Sequence, residues 1–593
     1  MTYTLGTLKR MAENAASLTE TARELSERDR DYYDSHQLTA EEQATLKRRK
    51  QPIVIINRIR RKIDAMIGIE QRGRVDPKAY PRNPGDEQAA ELATKALRFV
   101  EETERIDVKR SSSFENLLVE GYGGVEICVE PKRGQLEISV KRLRWEEIFF
   151  DPFSREKDFS DASYLGVMKW MSIERAREWV GRFYQGDDID EMLDGGEDGE
   201  TGETYGDRPA GEQFEWTDIR QRRVRVAQVY YLKDGTWHLS IYNGKGIFWE
   251  GVSPYNDEYG QPGCPIKLMT AYIDRDNNRY GLVRDMIYPQ DEINKRRSKL
   301  LHSLNSRQTM GIKGAVSSVA AMKRELAAPD GHIEINAEVM EEATRVGMRP
   351  FEVLQNQDQT AGQFNLLTEA KSEIDMLGPN ASLLGQLGGS QSGRAIMAQQ
   401  QAGLAELAPI YDSLRDWTER VYRQVWAAIK QFWDGPRWIR VTDDQASQMF
   451  IGVNQPMMTP AGPQVMNQVA MIDVDIIVDQ APDYASLRAE QFQMLGELAQ
   501  SGVPIPPQAI IEASDLRDKD KIIQAMQPPP EAQQMQQRSA MLDMAGKEAK
   551  VERDKAAAAK DMATIPVERA QAIKTMADAQ ATTIQARRTA MGF

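Results

Sequence analysis

Residues 284–304 read RDMIYPQDEINKRRSKLLHSL. The spacing predicts a charged helix starting behind Pro289. Met286, Ile287, Ile293, Leu300, Leu301 and Leu304 fall near multiples of three and four and share one stripe. Asp291, Glu292, Lys295, Arg296, Arg297 and Lys299 crowd the other faces. Such a surface suits pairing with a neighbouring copy of the same helix, and taken alone it also suits a solvated amphipathic helix. The chain on either side decides between the two.

Downstream, residues 310–338 read as a small α/β insert, and a second helix follows over 359–377 with Phe364, Leu367, Ile374 and Leu377 in register. The two helices bracket a compact module. Next come a Gly/Ser-rich loop over 379–393 and a long helix over 394–433, with Pro409 inside it and a core stripe of Leu404, Leu407, Tyr411, Leu414, Trp417, Val421, Val425, Ile429 and Phe432. WIRVTDD (438–444) and DVDIIVDQ (473–480) are expected to pair as strands, before an amphipathic segment over 486–498 and an Ala/Gln-rich tail.

Upstream, residues 1–70 are helical in pattern and end in QPIVIINRIRRKIDAMIGIE, where Ile55, Ile59, Ile63, Met66 and Ile67 form a stripe. A loop over 71–87 precedes helices over 88–104 and 108–119. The period then changes to two. VEICVEPKRGQLEISVKRL (125–143) reads as a hairpin turning at 132–134, and RRVRVAQVYYLK, TWHLSIYNGKGIFWEGV and PIKLMTAYI read as strands around Asp234-Gly235 and Asn243-Gly244. Between them lie an aromatic, Asp- and Pro-rich stretch, the helix SIERAREWVGRFY and an acidic surface loop over 186–207. Helices mixed with antiparallel strands make the fold class α+β.

With 593 residues, 41% hydrophobic and 28% charged, the chain can bury cores for several domains, and no apolar run reaches bilayer length. The N-terminal stretch lacks the apolar segment and cleavage site of a secretory signal, so a cytoplasmic site of synthesis and no membrane partner are expected. Cys128 and Cys264 are too few for a disulfide framework and too isolated for zinc. A net charge of −14 argues against tight, static DNA binding, yet a conduit that lets a duplex slide has no use for a wall that grips it.

Catalytic signatures fail on inspection. GGSQSGRA (388–395) has phosphate-loop spacing, but Arg394 stands at the lysine position and Ala395 where a hydroxyl binds magnesium. In an EF-hand starting at Asp190, Met192 and Thr201 occupy ligand positions. His36, His238, His302 and His332 are scattered without metal or triad spacing. No catalytic residue, cofactor or metal is expected, which favours an assembly component over a nucleic-acid-processing enzyme.

Four stretches, in this order and spacing, carry a resemblance: RDYYDSHQLT with the following RKQPIVIINRIRRKIDAMIG, FENLLVEGYGGVEI, FFDPFSREKDFSDASY, and YGLVRDMIYPQDEINKRRSKLLH. The chain resembles the portal proteins of short-tailed, podovirus-type double-stranded DNA phages. Ser35-His36 stand where the family pattern has Gly-Asp.

The resemblance implies a portal fold assembled as a ring, usually of twelve copies, at one capsid vertex of the virion, through which DNA is packaged and ejected. It implies a wing over 1–273, stem helices over 274–304 and 359–378, a clip over 305–358 and a tunnel loop over 379–393. A long wing helix with returning strands would occupy 394–480, and a crown with the tail 481–593. Implied partners are duplex DNA, the terminase large subunit, the major capsid and scaffolding proteins and tail or adaptor proteins. Ser390, Gln391, Ser392 and Arg394 are candidates for groups near the duplex. Asp291, Glu292, Lys295, Arg296 and Lys299 are candidates for contacts between neighbouring stems. The alternative is a head–tail adaptor or scaffold without a channel.

Overall fold

Two-residue periodicity becomes sheet where each face finds a cover. In the computed structural model, Tyr122–Lys132 runs antiparallel between Gln135–Leu143 and Ile266–Thr270. The expected hairpin turns through Gly134 at φ +78°, a left-handed backbone that favours glycine. A second antiparallel sheet follows the order Ile148–Phe150, Tyr164–Ser172, Arg223–Lys233, Thr236–Tyr242, Ile247–Val252, with Thr217–Asp218 also paired to Arg223–Lys233. Alternate side chains of Arg223–Lys233 serve two cores. Val224, Val226 and Tyr230 join the core shared with the first sheet, and Ala227, Val229 and Tyr231 pack under the N-terminal helix Leu5–Leu18 through Leu8, Ala12 and Ala15. At Asp234-Gly235 both residues have positive φ, as the expected two-residue turn requires.

The structure describes residues 3–477 except 75, 84–85, 133, 187, 194–215, 219–220, 306–307, 329, 350, 355–356, 380–392, 443–447 and 460–461, and beyond 477 residues 494–496, 499, 506, 511, 555, 569, 571–580 and 582–583. Two compact units form, Met1–Tyr484 and Ala485–Phe593. Most of the acidic stretch 186–207 and of the amphipathic segment 486–498 lies outside the described residues. The acidic stretch opens with a short helix, Ile189–Leu193, where a loop was expected.

The largest core belongs to the helices. Glu87–Glu104, Ile106–Val119 and the 40-residue helix Gly393–Phe432 bury Leu97, Phe114, Leu117, Leu414, Trp417, Val421 and Ile429 together. The indole of Trp417 also donates to the carbonyl of Lys267 at 2.9 Å, so the long helix is tied to the first sheet.

Three expectations are corrected. Residues 51–58 are neither helix nor strand, and the helix begins at Ile59 and ends at Arg72. Pro52 and the β-branched run Ile53 to Ile56 disfavour helix there. The loop 71–87 contains a strand, Lys78–Pro81, and its partner is Val474–Ile477. Arg437–Thr442 therefore does not pair with DVDIIVDQ but with its sequence neighbour Gln448–Val453, the shorter loop to close.

FFDPFSREKDFSDASY folds around a residue from another stretch. Arg279 is 2% exposed, and its guanidinium lies 3.8 Å from the Phe159 ring centroid and 5.2 Å from that of Phe150. It donates to Thr270 Oγ1, to Ser154 Oγ and to the carbonyls of Ser154 and Glu156. Asp161 accepts from Ser154 Oγ and the Arg155 and Glu156 amides, and Asp151 from the Phe153 and Ser163 amides, so the Asp-rich composition closes the loop's own turns.

Candidate functional site

The helix quoted first spans Val283–Asn305. It begins neither at residue 274 nor behind Pro289. Residues 274–278 instead form the turn between the short strands Tyr272–Ile273 and Arg279–Tyr280, and Pro289 lies inside the helix, where it removes one hydrogen bond near the first turns. Its mate is Gln357–Met376. Arg296 meets Gln363 and Met286 meets Gly378, so the two run antiparallel. Val283, Met286, Ile287, Ile293 and Leu300 share a core with Leu367, Ala370 and Ile374, whereas Leu304 and Phe364, expected on the stripes, face outward. The insert between them pairs Gln308–Gly311 with Phe351–Leu354 around helices Val319–Ala327 and Ala337–Arg345, the expected small α/β unit.

One face of the first helix is buried although it is polar. Gln290 and Asn294 are 0% and 2% exposed. The irregular segment 51–58 lies against them: Ile56 N donates to Asn294 Oδ1 at 3.1 Å, Arg58 N to Gln290 Oε1 at 3.0 Å, and Gln290 Nε2 to the Ile56 carbonyl at 2.7 Å. Asn294 Nδ2 reaches Gln37 Oε1 at 2.7 Å. A backbone outside helix and sheet thus finds hydrogen bonds in helix side chains. Sequence reading gave these amides no role, though their i, i+4 spacing beside the apolar stripe was the available signal.

The candidate neighbour contacts also have partners within the chain. Asp291 accepts from Tyr32 Oη at 2.7 Å and lies 3.5 Å from Lys295, which is 3.9 Å from Glu42. Arg296 pairs with Glu292 at 2.9 Å. Lys299 is exposed and makes no ion pair with the described residues. Exposed i, i+4 pairs of this kind hold one another weakly and can exchange partners.

Where the second helix ends, helix Ile59–Arg72 holds it. Lys62, 3% exposed, donates its ammonium to the carbonyls of Asp375 (3.0 Å), Leu377 and Pro379 (3.3 Å), and Arg58 Nη1 bridges both carboxylate oxygens of Asp375 at 2.9 Å. Burial pushes the lysine down to about 8, against the pull of Asp375. The same helix accepts Tyr411 Oη at the Met66 carbonyl, 2.9 Å away, so both flanks of the Gly/Ser-rich stretch are tied to it. Ser390, Gln391 and Ser392 lie outside the described residues, as does the side chain of Arg394, whose backbone is in the long helix. A lysine at core spacing between Ile59, Ile63 and Met66 was a legible sign that sequence reading passed over.

Nothing else gathers into reactive chemistry among the described residues. No group of three or more His, Cys, Asp or Glu side chains there could hold a metal ion. Cys128 and Cys264 are buried and free, and burial pushes each thiol up to about 12. No helix of the described residues is long and apolar enough to cross a membrane.

No curated protein matches the chain. The family model described as phage P22-like portal protein matches residues 9–581, nearly its whole length, and takes in the helix pair, the insert and both sheets. The chain belongs to the phage P22-like portal protein family.

Proposed function

We propose that this portal protein builds a central channel from its paired helices, lets the genome pass through passively, and leaves energy-consuming translocation to a separate terminase. Family membership implies a ring oligomer at the capsid vertex of the virion, in a structural rather than an enzymatic family. The observation that carries the finer reading is the antiparallel pair Val283–Asn305 and Gln357–Met376, closed at one end by a folded insert and left with unpartnered surface. Tyr288 is 83% exposed, and Leu304, Phe364 and Met376 on the pair and Met310, Val346 and Met348 on the insert are also exposed. Side chains of this kind are covered by a neighbouring copy in a ring.

On this reading the wing is 1–273, the stem is the helix pair, the clip is the insert and the tunnel loop is 379–393. Asp291, Glu292, Lys295, Arg296 and Lys299 exchange partners across the stem seam, and Ser390, Gln391, Ser392 and Arg394 lie near the duplex. The ring has twelve copies, the clip receives the terminase large subunit and then tail or adaptor proteins, and the wing and crown meet capsid and scaffolding proteins. Electron-microscope images of the purified full-length chain test this: radially symmetric particles with a central hole are expected. Closed particles without a hole would replace it with an adaptor or scaffold, and monomers at assembly concentrations would remove it.

A further inference from the structure

Between Gln43 and Ile63 the chain carries eight basic residues and no acidic one, within a protein of net charge −14. The second half of this run is used internally: Arg58 with Asp375, Arg60 with Asp64, and Lys62 at the helix end. The first half is not. Lys47, Arg48, Arg49 and Lys50 are all exposed, and among the described residues they make no ion pair and one side-chain hydrogen bond, Arg48 to Thr45 Oγ1.

They sit on the end of helix Ala40–Arg48. Lys50 N donates to the Lys47 carbonyl at 3.0 Å and Gln51 N to the Leu46 carbonyl at 2.9 Å, a six-to-one closure with Lys50 at φ +55°. The helix dipole gives Lys47 and Arg48 a favourable place. It does not account for Lys50, a cation at the one position of this cap where the backbone favours glycine. The knuckle is also firmly mounted, since the chain runs from Gln51 into the segment whose amides bond Gln290 and Asn294.

We propose that this knuckle, Lys47 with Arg48, Arg49 and Lys50, is a contact for the phosphate backbone of duplex DNA. The proposal rests on the portal reading for the duplex being present, and adds a site outside the stretch 379–393. Lys47 and Arg48 close the helix and Arg49 and Lys50 form its cap, so the four cations lie within one turn of chain and one copy meets about two or three phosphates. Guanidinium and ammonium groups on phosphodiester oxygens read no sequence. Binding at each copy is weak and salt-labile, which agrees with a net-acidic protein that does not grip its cargo.

The test titrates the assembled full-length protein with a mixed-sequence duplex of about 30 base pairs at roughly 50 and 200 mM salt, where two or three phosphate contacts give a ten- to fortyfold loss of affinity. K47Q/R48Q/R49Q/K50Q is expected to lose most of that salt dependence while forming rings and melting like the wild type, and K47R/K50R to bind like the wild type. Unchanged affinity and salt slope in the quadruple variant would leave a merely solvated surface and overturn the proposal. Loss of rings in that variant would also overturn it, assigning the knuckle to a contact between copies. Either failure leaves the central hole, and with it the channel reading, standing.

Discussion

Ser35 occupies a position whose backbone favours glycine. Its φ is +73°, in the left-handed region, at the turn after helix Glu20–Tyr33. The serine brings something glycine lacks: its Oγ accepts from Asn57 Nδ2 at 3.0 Å, and the same amide donates to the carbonyls of Tyr32 and Tyr33. Relief of left-handed strain and loss of one hydrogen bond are each about 1 kcal/mol and oppose one another. Ser35→Gly is therefore expected to melt near the wild type. Ser35→Ala keeps the strain, loses the acceptor and is destabilised by about 1 kcal/mol. Thermal unfolding ranks the three, and equal melting of the two variants would remove strain from the account. A serine in a polar stretch was visible in the sequence; its left-handed backbone and the compensating contact, twenty-two positions away, were not.

At the scale of elements, the helix end at Asp375 to Pro379 depends on Lys62 from another helix. Lys62→Met keeps the aliphatic stem and removes the donors, which leaves three carbonyls without their partner at a cost of about 1–3 kcal/mol. Amide hydrogen exchange over residues 374–379 is expected to quicken by roughly 5- to 150-fold, with exchange in Arg223–Lys233 unchanged. Uniform quickening across the chain would mean global destabilisation instead of a local anchor. Elements with a strong period, such as the hairpin Tyr122–Lys132 with Gln135–Leu143 and the helix Gly393–Phe432, were legible because their own spacing creates the buried face. The segment 51–58 was misread because its Ile residues match a helical period, while its backbone bonds go to Gln290 and Asn294, more than two hundred positions on.

For the whole molecule, one half-buried carboxyl couples packing to pH. Glu101 accepts from Tyr422 Oη at 2.8 Å and so joins helix Glu87–Glu104 to the long helix Gly393–Phe432. Burial pushes it up to about 7; Asp76 and Asp107 add to the rise, and the Tyr422 bond and Arg110 oppose it. Because the folded value lies above the unfolded one, the protonated form is favoured by folding. That stability is complete at pH values below the unfolded carboxyl range and is lost as pH rises through about 7. Glu101→Gln is neutral throughout and retains an acceptor. Its melting temperature is expected to match the wild type near about pH 4 to 5 and to exceed it by about pH 8. A constant difference across that range would mean that Glu101 does not titrate there.

The sequence by itself determined the α+β class, the two-residue strands with their Asp234-Gly235 turn, the small insert between two helices, and, through four ordered stretches, the family. Each of these is written in local spacing or in turn chemistry, so neighbours along the chain suffice to specify it. The tertiary structure alone decided that Arg279 is the centre around which FFDPFSREKDFSDASY folds, that Lys78–Pro81 pairs with Val474–Ile477, and that Gln290 and Asn294 hold the irregular segment 51–58 while Lys62 holds a helix end. These are hydrogen bonds and strand pairings between residues far apart in sequence. A polar side chain does not reveal from its own position which distant backbone group it will satisfy once water is excluded.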